Sequence, residues 1–153
     1  MYFAIVLLTT LVLPVVSIAV DYAGSAEPDI LYLIGKWFVF WGVGIRLLLA
    51  GASQALKPSA TSAGILGIKD PAAEKVVSEL GYANLCMGLA ASLSLLWPAW
   101  MLVAGMTGGL YLGLAGVKHV FNKERNAKEN LAMATDFLVF AVVAVFVVVS
   151  LTR

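Results

Sequence analysis

The chain has 153 residues, of which 61% are hydrophobic and only 12% charged, and its mean hydropathy is +0.95. A water-soluble domain carries about a quarter charged residues, so this composition excludes a soluble globular protein and points to a bilayer. The net charge of +1 argues against a nucleic-acid binder, and the single cysteine, Cys86, cannot form a disulfide within the chain.

The first apolar stretch, residues 2–20, is long enough to span. No Lys or Arg precedes it, as a signal peptide would require, so it is expected to be a retained first transmembrane helix. Pro14 inside it should bend the helix or free a carbonyl for a neighbour to satisfy. Residues 21–29, DYAGSAEPD, read as an acidic turn broken by Gly24 and Pro28. The second span, residues 30–56, opens with Trp37, Phe38, Phe40 and Trp41, which suit a membrane–water interface, and with Lys36, which can snorkel there. Arg46 lies about 15 Å of helix rise from the far end. That is deep for a guanidinium.

Residues 57–69 form a loop. Asp70-Pro71 then reads as an N-cap with proline at the first helical position, and Glu74 falls in the favourable first turns. The third span, 71–96, carries Gly81, Asn84, Gly88 and Ala91 on one stripe, with Glu79 on another face. Trp97-Pro98-Ala99-Trp100 is a tight turn into the fourth span, 99–121, where Gly105, Gly109, Gly113 and Gly116 make overlapping GxxxG units. Close backbone contact with a neighbouring helix is expected along them. Residues 122–130 are a charged turn that Asn126 or Glu129 would cap, and 130–151 is the fifth span.

The expected fold is therefore all-α, a polytopic membrane bundle of five transmembrane helices in one integral domain: one N-terminal helix plus a four-helix bundle. Lys57, Lys69, Lys75, Lys118, Lys123, Arg125 and Lys128 sit on or beside the connections of one side, against terminal Arg153 on the other. By the positive-inside rule the amino end is cytoplasmic and the carboxyl end outside.

This topology sets Arg46, Asn84 and Asp136 at about 10 to 15 Å from the cytoplasmic boundary, with Glu79, His119, Asn122 and Glu129 nearer to it. On the fifth helix Asn126, Glu129, Met133 and Asp136 recur at spacings of three and four. The expectation is a polar cluster of Arg46, Glu79, Asn84, His119, Asn122, Glu129 and Asp136, open to the cytoplasm. Arg46 with Asp136 is equally readable as an ion pair holding two helices. Glu79 has Lys75 one turn earlier as a partner. HExxH and ExxH spacings are absent, so no metal site is expected, and neither is a cofactor or a catalytic residue: the chain has no phosphate loop, GxSxG or CxxC.

GIRLLLAG around Arg46, the Glu79-Leu-Gly-Tyr-Ala-Asn84 segment with its glycine-spaced continuation, and AGVKH followed by NAKEN and Asp136 resemble a family of small bacterial integral membrane proteins. From the second helix onward, about Gly35 to Val149, the arrangement is distantly similar to DoxX-like four-helix proteins. The resemblance implies a compact helical bundle in a bacterial inner membrane and, for DoxX-like members, association with quinone-linked or redox membrane systems. Three functions fit these readings: a non-enzymatic bundle that self-associates or joins a larger membrane complex, a binder or carrier of a quinone- or lipid-like amphipathic molecule, and a membrane enzyme using Glu79 or His119.

Overall fold

A computed structural model describes all residues, 1–153, and is helical throughout apart from short connections. Five helices are long and apolar enough to cross a membrane: α1 (Tyr2–Gly24), α2 (Ile30–Leu56), α3 (Pro71–Leu93), α4 (Pro98–Phe121) and α5 (Ala127–Thr152). Val15, Val16, Val20, Leu49, Leu89, Val103, Leu114, Val145 and Val148 all face outward. Continuous apolar exposure of this kind is unfavourable in water and is what lipid requires.

Three of the spans begin where a side chain satisfies the free amides of the first turn. Asp70 accepts from the Ala72 amide at 2.8 Å with Pro71 behind it, as the sequence predicts. Asp29 accepts from Leu31 and Tyr32 at the head of α2. The Tyr32 amide, with the Arg153 guanidinium as a lesser cause, holds the Asp29 carboxyl below the ordinary carboxylate range. Asn126 caps α5 through the Glu129 amide at 3.0 Å, so this helix starts three residues before the expected Asn130. Replacing Asn126 by alanine is expected to cost about 1 kcal/mol, measured as a lowered melting temperature.

Pro14 neither breaks nor sharply interrupts α1. The turn before it, Leu8–Val12, is π-helical, and the Leu13 amide reaches back five residues to the Leu8 carbonyl. A wide turn of this kind absorbs the donor that proline lacks, while Thr9 and Thr10 donate to carbonyls one turn earlier. α1 also continues past the expected end at Val20, so Asp21 is helical and not part of a turn. There it accepts from Lys36 Nζ at 2.6 Å and Trp37 Nε1 at 3.0 Å. A second wide stretch, Phe38–Ile45, lies in α2 immediately before Arg46.

The bundle has two storeys. Toward the end holding Trp97 and Trp100, an apolar storey is built on Val39, Val43, Val139 and Val143, all at most 1% exposed. Toward the other end, where the lysine-bearing connections lie and which we term the basic end, the interior is polar. α2 and α3 hold the two storeys together by close backbone approach. A Cβ on Gly51 would lie 2.7 Å from the Gly81 carbonyl oxygen, and one on Gly88 would lie 2.6 Å from the Leu48 amide nitrogen.

The glycines expected to bring backbones together, Gly105, Gly109, Gly113 and Gly116, lie along the close α4–α5 contact. They receive side chains: Val39 and Val143 at Gly105, Val143 at Gly109, the Phe140 ring at Gly113 and the Phe137 ring at Gly116. α5 carries bulky residues at the matching heights, and the missing side chains of the glycines give those knobs room.

Candidate functional site

The polar storey is assembled from α2, α4 and α5. Arg46 Nη2 donates to Asp136 Oδ1 at 2.5 Å and to Thr135 Oγ1 at 3.0 Å. The side chains of this ion pair are 11% and 6% exposed. The wide stretch before Arg46 explains how it gets there: each wide turn takes up an extra residue, so the arginine is offset in azimuth from where regular α-helical spacing would aim it. Thr135 is held ready as an acceptor, because its own hydroxyl proton is donated to the Leu131 carbonyl at 2.8 Å.

His119 stands between two carboxylates. Its Nδ1 is 2.9 Å from Glu129 Oε1, and its Nε2 is 4.0 Å from Asp136 Oδ2, beyond hydrogen-bond reach. Asn122 Nδ2 donates to both Glu129 oxygens, at 2.8 and 2.9 Å. Glu129 is 2% exposed and Asp136 is 4% exposed. The five residues Arg46, Asp136, His119, Glu129 and Asn122 thus run in one line from the bundle interior to its basic end, and their charged groups answer one another.

Two expected members are placed elsewhere. Glu79 is exposed and makes no hydrogen bond or ion pair, with Lys75 or with the cluster. The buried stripe of α3 is Val77, Gly81, Asn84, Gly88 and Ala91, and Glu79, two residues from both Val77 and Gly81, lies about 200° round the helix from each. Asn84 is buried, but its amide donates to Gln54 Oε1 at 2.6 Å across the α2–α3 seam. Asn84 Oδ1 and Arg46 Nη1 are buried without a partner.

Several further residues complete the site. Arg125 reaches back over the end of α4, its Nη1 donating to the His119, Val120 and Asn122 carbonyls at 2.8, 2.9 and 2.5 Å. A basic residue just beyond a helix is a known cap for its free carbonyls, so this signal was present in the sequence. Tyr2 donates to the Lys128 carbonyl at 3.4 Å, tying α1 to α5, and Gln54 faces Asn84; nothing local in the sequence marks either. The 57–70 connection folds over the same end. It turns through one helical segment, Ser59–Ser62, and then through Gly67 at φ +73, a left-handed position that favours glycine. Its Ile65 carbonyl accepts from Asn126 at 2.6 Å.

The main cavities lie away from this cluster. One of about 470 Å³ opens between α3 and α4 in the apolar storey, lined by Cys86, Met87, Ala90, Trp100, Val103 and Thr107 among others. A smaller one of about 210 Å³ lies between α4 and α5 around Gly109 and Phe140. No group of three or more His, Cys, Asp or Glu side chains is arranged to hold a metal ion.

No protein-family model, curated protein or solved structure matches the chain. The functional reading therefore rests on the geometry: an all-α, five-helix membrane bundle with a buried cluster of paired polar groups toward one end.

Proposed function

We propose that this protein is a non-enzymatic membrane scaffold, an accessory subunit of a larger membrane complex, inserted in a bacterial inner membrane with its amino end and basic connections in the cytoplasm. One observation carries the reading. The two buried carboxylates of the spans each have a partner, Asp136 with Arg46 and Glu129 with His119, so the cluster acts as a clamp on α2, α4 and α5. A lone charge in hydrocarbon would be a functional candidate by default, whereas a paired one is explained by the cost it avoids. The small extramembrane mass and the outward apolar faces support association within the bilayer. The resemblance to DoxX-like bundles belongs to the same proposal; it is supported by Arg46 in the first bundle helix and weakened by the outward-facing Glu79.

A second reading, binding of a quinone- or lipid-like molecule, is favoured by the cavity of about 470 Å³, which is of ligand size. Native mass spectrometry of the protein extracted with its lipids separates the two. The scaffold reading predicts complexes with another membrane protein at fixed stoichiometry. A lone chain carrying one small molecule at unit stoichiometry would overturn it in favour of the second.

A further inference from the structure

The line of polar groups contains one histidine. A histidine changes protonation between about pH 5 and pH 8, and His119 is set between the carboxylates of Glu129 and Asp136. It is 15% exposed and lies in the last turn of α4, at the basic end, so protons reach it from water. The groups around it come from every neighbouring element. α5 contributes Glu129 and Asp136, α2 contributes Arg46 through Asp136, and α1 contributes the Tyr2 hydroxyl. Tyr111 is on α4 itself, the α4–α5 turn adds Arg125 against the His119 carbonyl, and Lys118 adjoins it outside. On α3 the nearest ionisable side chains, Glu79 and Tyr82, point outward.

A neutral imidazole has one N–H. With that proton on Nδ1, bonded to Glu129, the bare Nε2 faces an Asp136 oxygen and two acceptors oppose each other. The 4.0 Å separation matches that state. With a second proton, Nε2 becomes a donor aimed at the same oxygen, and a charge-assisted bond of about 2.8 Å is the favoured geometry. Charge is compatible with this geometry: Arg46 and Arg125 stand against the carboxylates of Asp136 and Glu129, and a protonated His119 lies between those two carboxylates. The C-terminal end of α4 also favours a cation.

We propose that His119 is a proton-binding switch that, on protonation, bonds Asp136 through Nε2 and draws the end of α4 onto the Arg46–Asp136 pair. Acidification on the basic side then tightens α4 against α2 and α5, and raising the pH loosens them. Beyond Asp136 the buried core is built of apolar side chains. The proposal rests on the cluster being an internal clamp. That reading fails if removing Asp136 does not destabilise the bundle, an experiment in which His119 is unchanged.

His119 is the only histidine, so nitrogen-15 histidine labelling in phosphatidylcholine liposomes reports it alone. Between about pH 8 and pH 5, the spectrum is expected to change from one protonated ring nitrogen to two, with Nε2 acquiring the shift of a strong hydrogen bond. In Asp136→Asn that Nε2 shift is lost while the Nδ1 bond to Glu129 stays. A histidine that keeps one state across the range, or an Nε2 signal identical in wild type and Asp136→Asn, overturns the proposal. Should Asp136→Asn not fold, His119→Gln serves instead. On this proposal the protonated imidazole gains a bond to Asp136 that the unfolded chain cannot make, so the wild type's melting temperature is expected to rise as pH falls through this range. The variant is expected to lose that slope, and an equal slope in both overturns the proposal.

Discussion

Asp136→Leu alone is expected to destabilise the bundle by about 3–5 kcal/mol, because it leaves Arg46 charged, buried and without a counter-ion. The double replacement Arg46→Met with Asp136→Leu should recover most of that loss. Both charges then disappear together, along with the cost of keeping them out of water, and side chains of similar volume fill the space. Thr135 loses one acceptor role but keeps its bond to the Leu131 carbonyl, so it is not orphaned. Unfolding free energies of the two single variants and the double variant in bicelles measure the effect as a double-mutant cycle. Additive losses would mean that Arg46 and Asp136 do not act as a pair.

The second large effect is steric. Gly81→Ala and Gly88→Ala are each expected to cost about 1–3 kcal/mol, and together to separate α2 from α3. The added methyl on Gly81 meets the Ala55 amide nitrogen at 2.7 Å, and that on Gly88 meets the Leu48 amide nitrogen at 2.6 Å. Backbone cannot rotate out of the way. Gly116→Ala is the contrasting case: its nearest neighbour is the Phe137 ring at 3.2 Å, a side chain able to give by a few tenths of an ångström. Alanine in a helix gains up to about 1 kcal/mol over glycine, so that variant should fall near neutral. Gly24→Ala, with nothing within 4 Å, is a second control. Thermal melts of the four variants give the ranking, and a Gly116→Ala loss matching that of Gly88→Ala would contradict the assignment of the α2–α3 seam as the one where backbone meets backbone.

The five spans were legible because hydrophobic length is the strongest signal a membrane chain carries, and Asp70 announced its helix through cap chemistry. Depth was legible too. Counting rise from the connections puts Arg46 and Asp136 at one level, and the fold brings them into contact. What could not be read was rotation. The wide stretch Phe38–Ile45 has no sequence mark that distinguishes it from an ordinary apolar helix, yet it resets the face that Arg46 presents. Glycine spacing is likewise ambiguous between a seam that admits backbone and a groove that admits side chains; the answer for Gly105 to Gly116 lay in Val143, Phe140 and Phe137, on another helix. Partners joined only by tertiary structure, such as Gln54 with Asn84 and Tyr2 with Lys128, leave no local trace.

The pairing of Arg46 with Asp136 inside the bilayer is most directly tested by a dipolar-recoupling solid-state NMR distance between the Arg46 guanidinium nitrogens and the Asp136 carboxyl carbon, in lipid, with Arg46→Lys as the blank. Strong dephasing, as direct contact at 2.5 Å between nitrogen and oxygen requires, is the predicted result. Dephasing no greater than that of the blank would place the two charges apart and contradict the clamp.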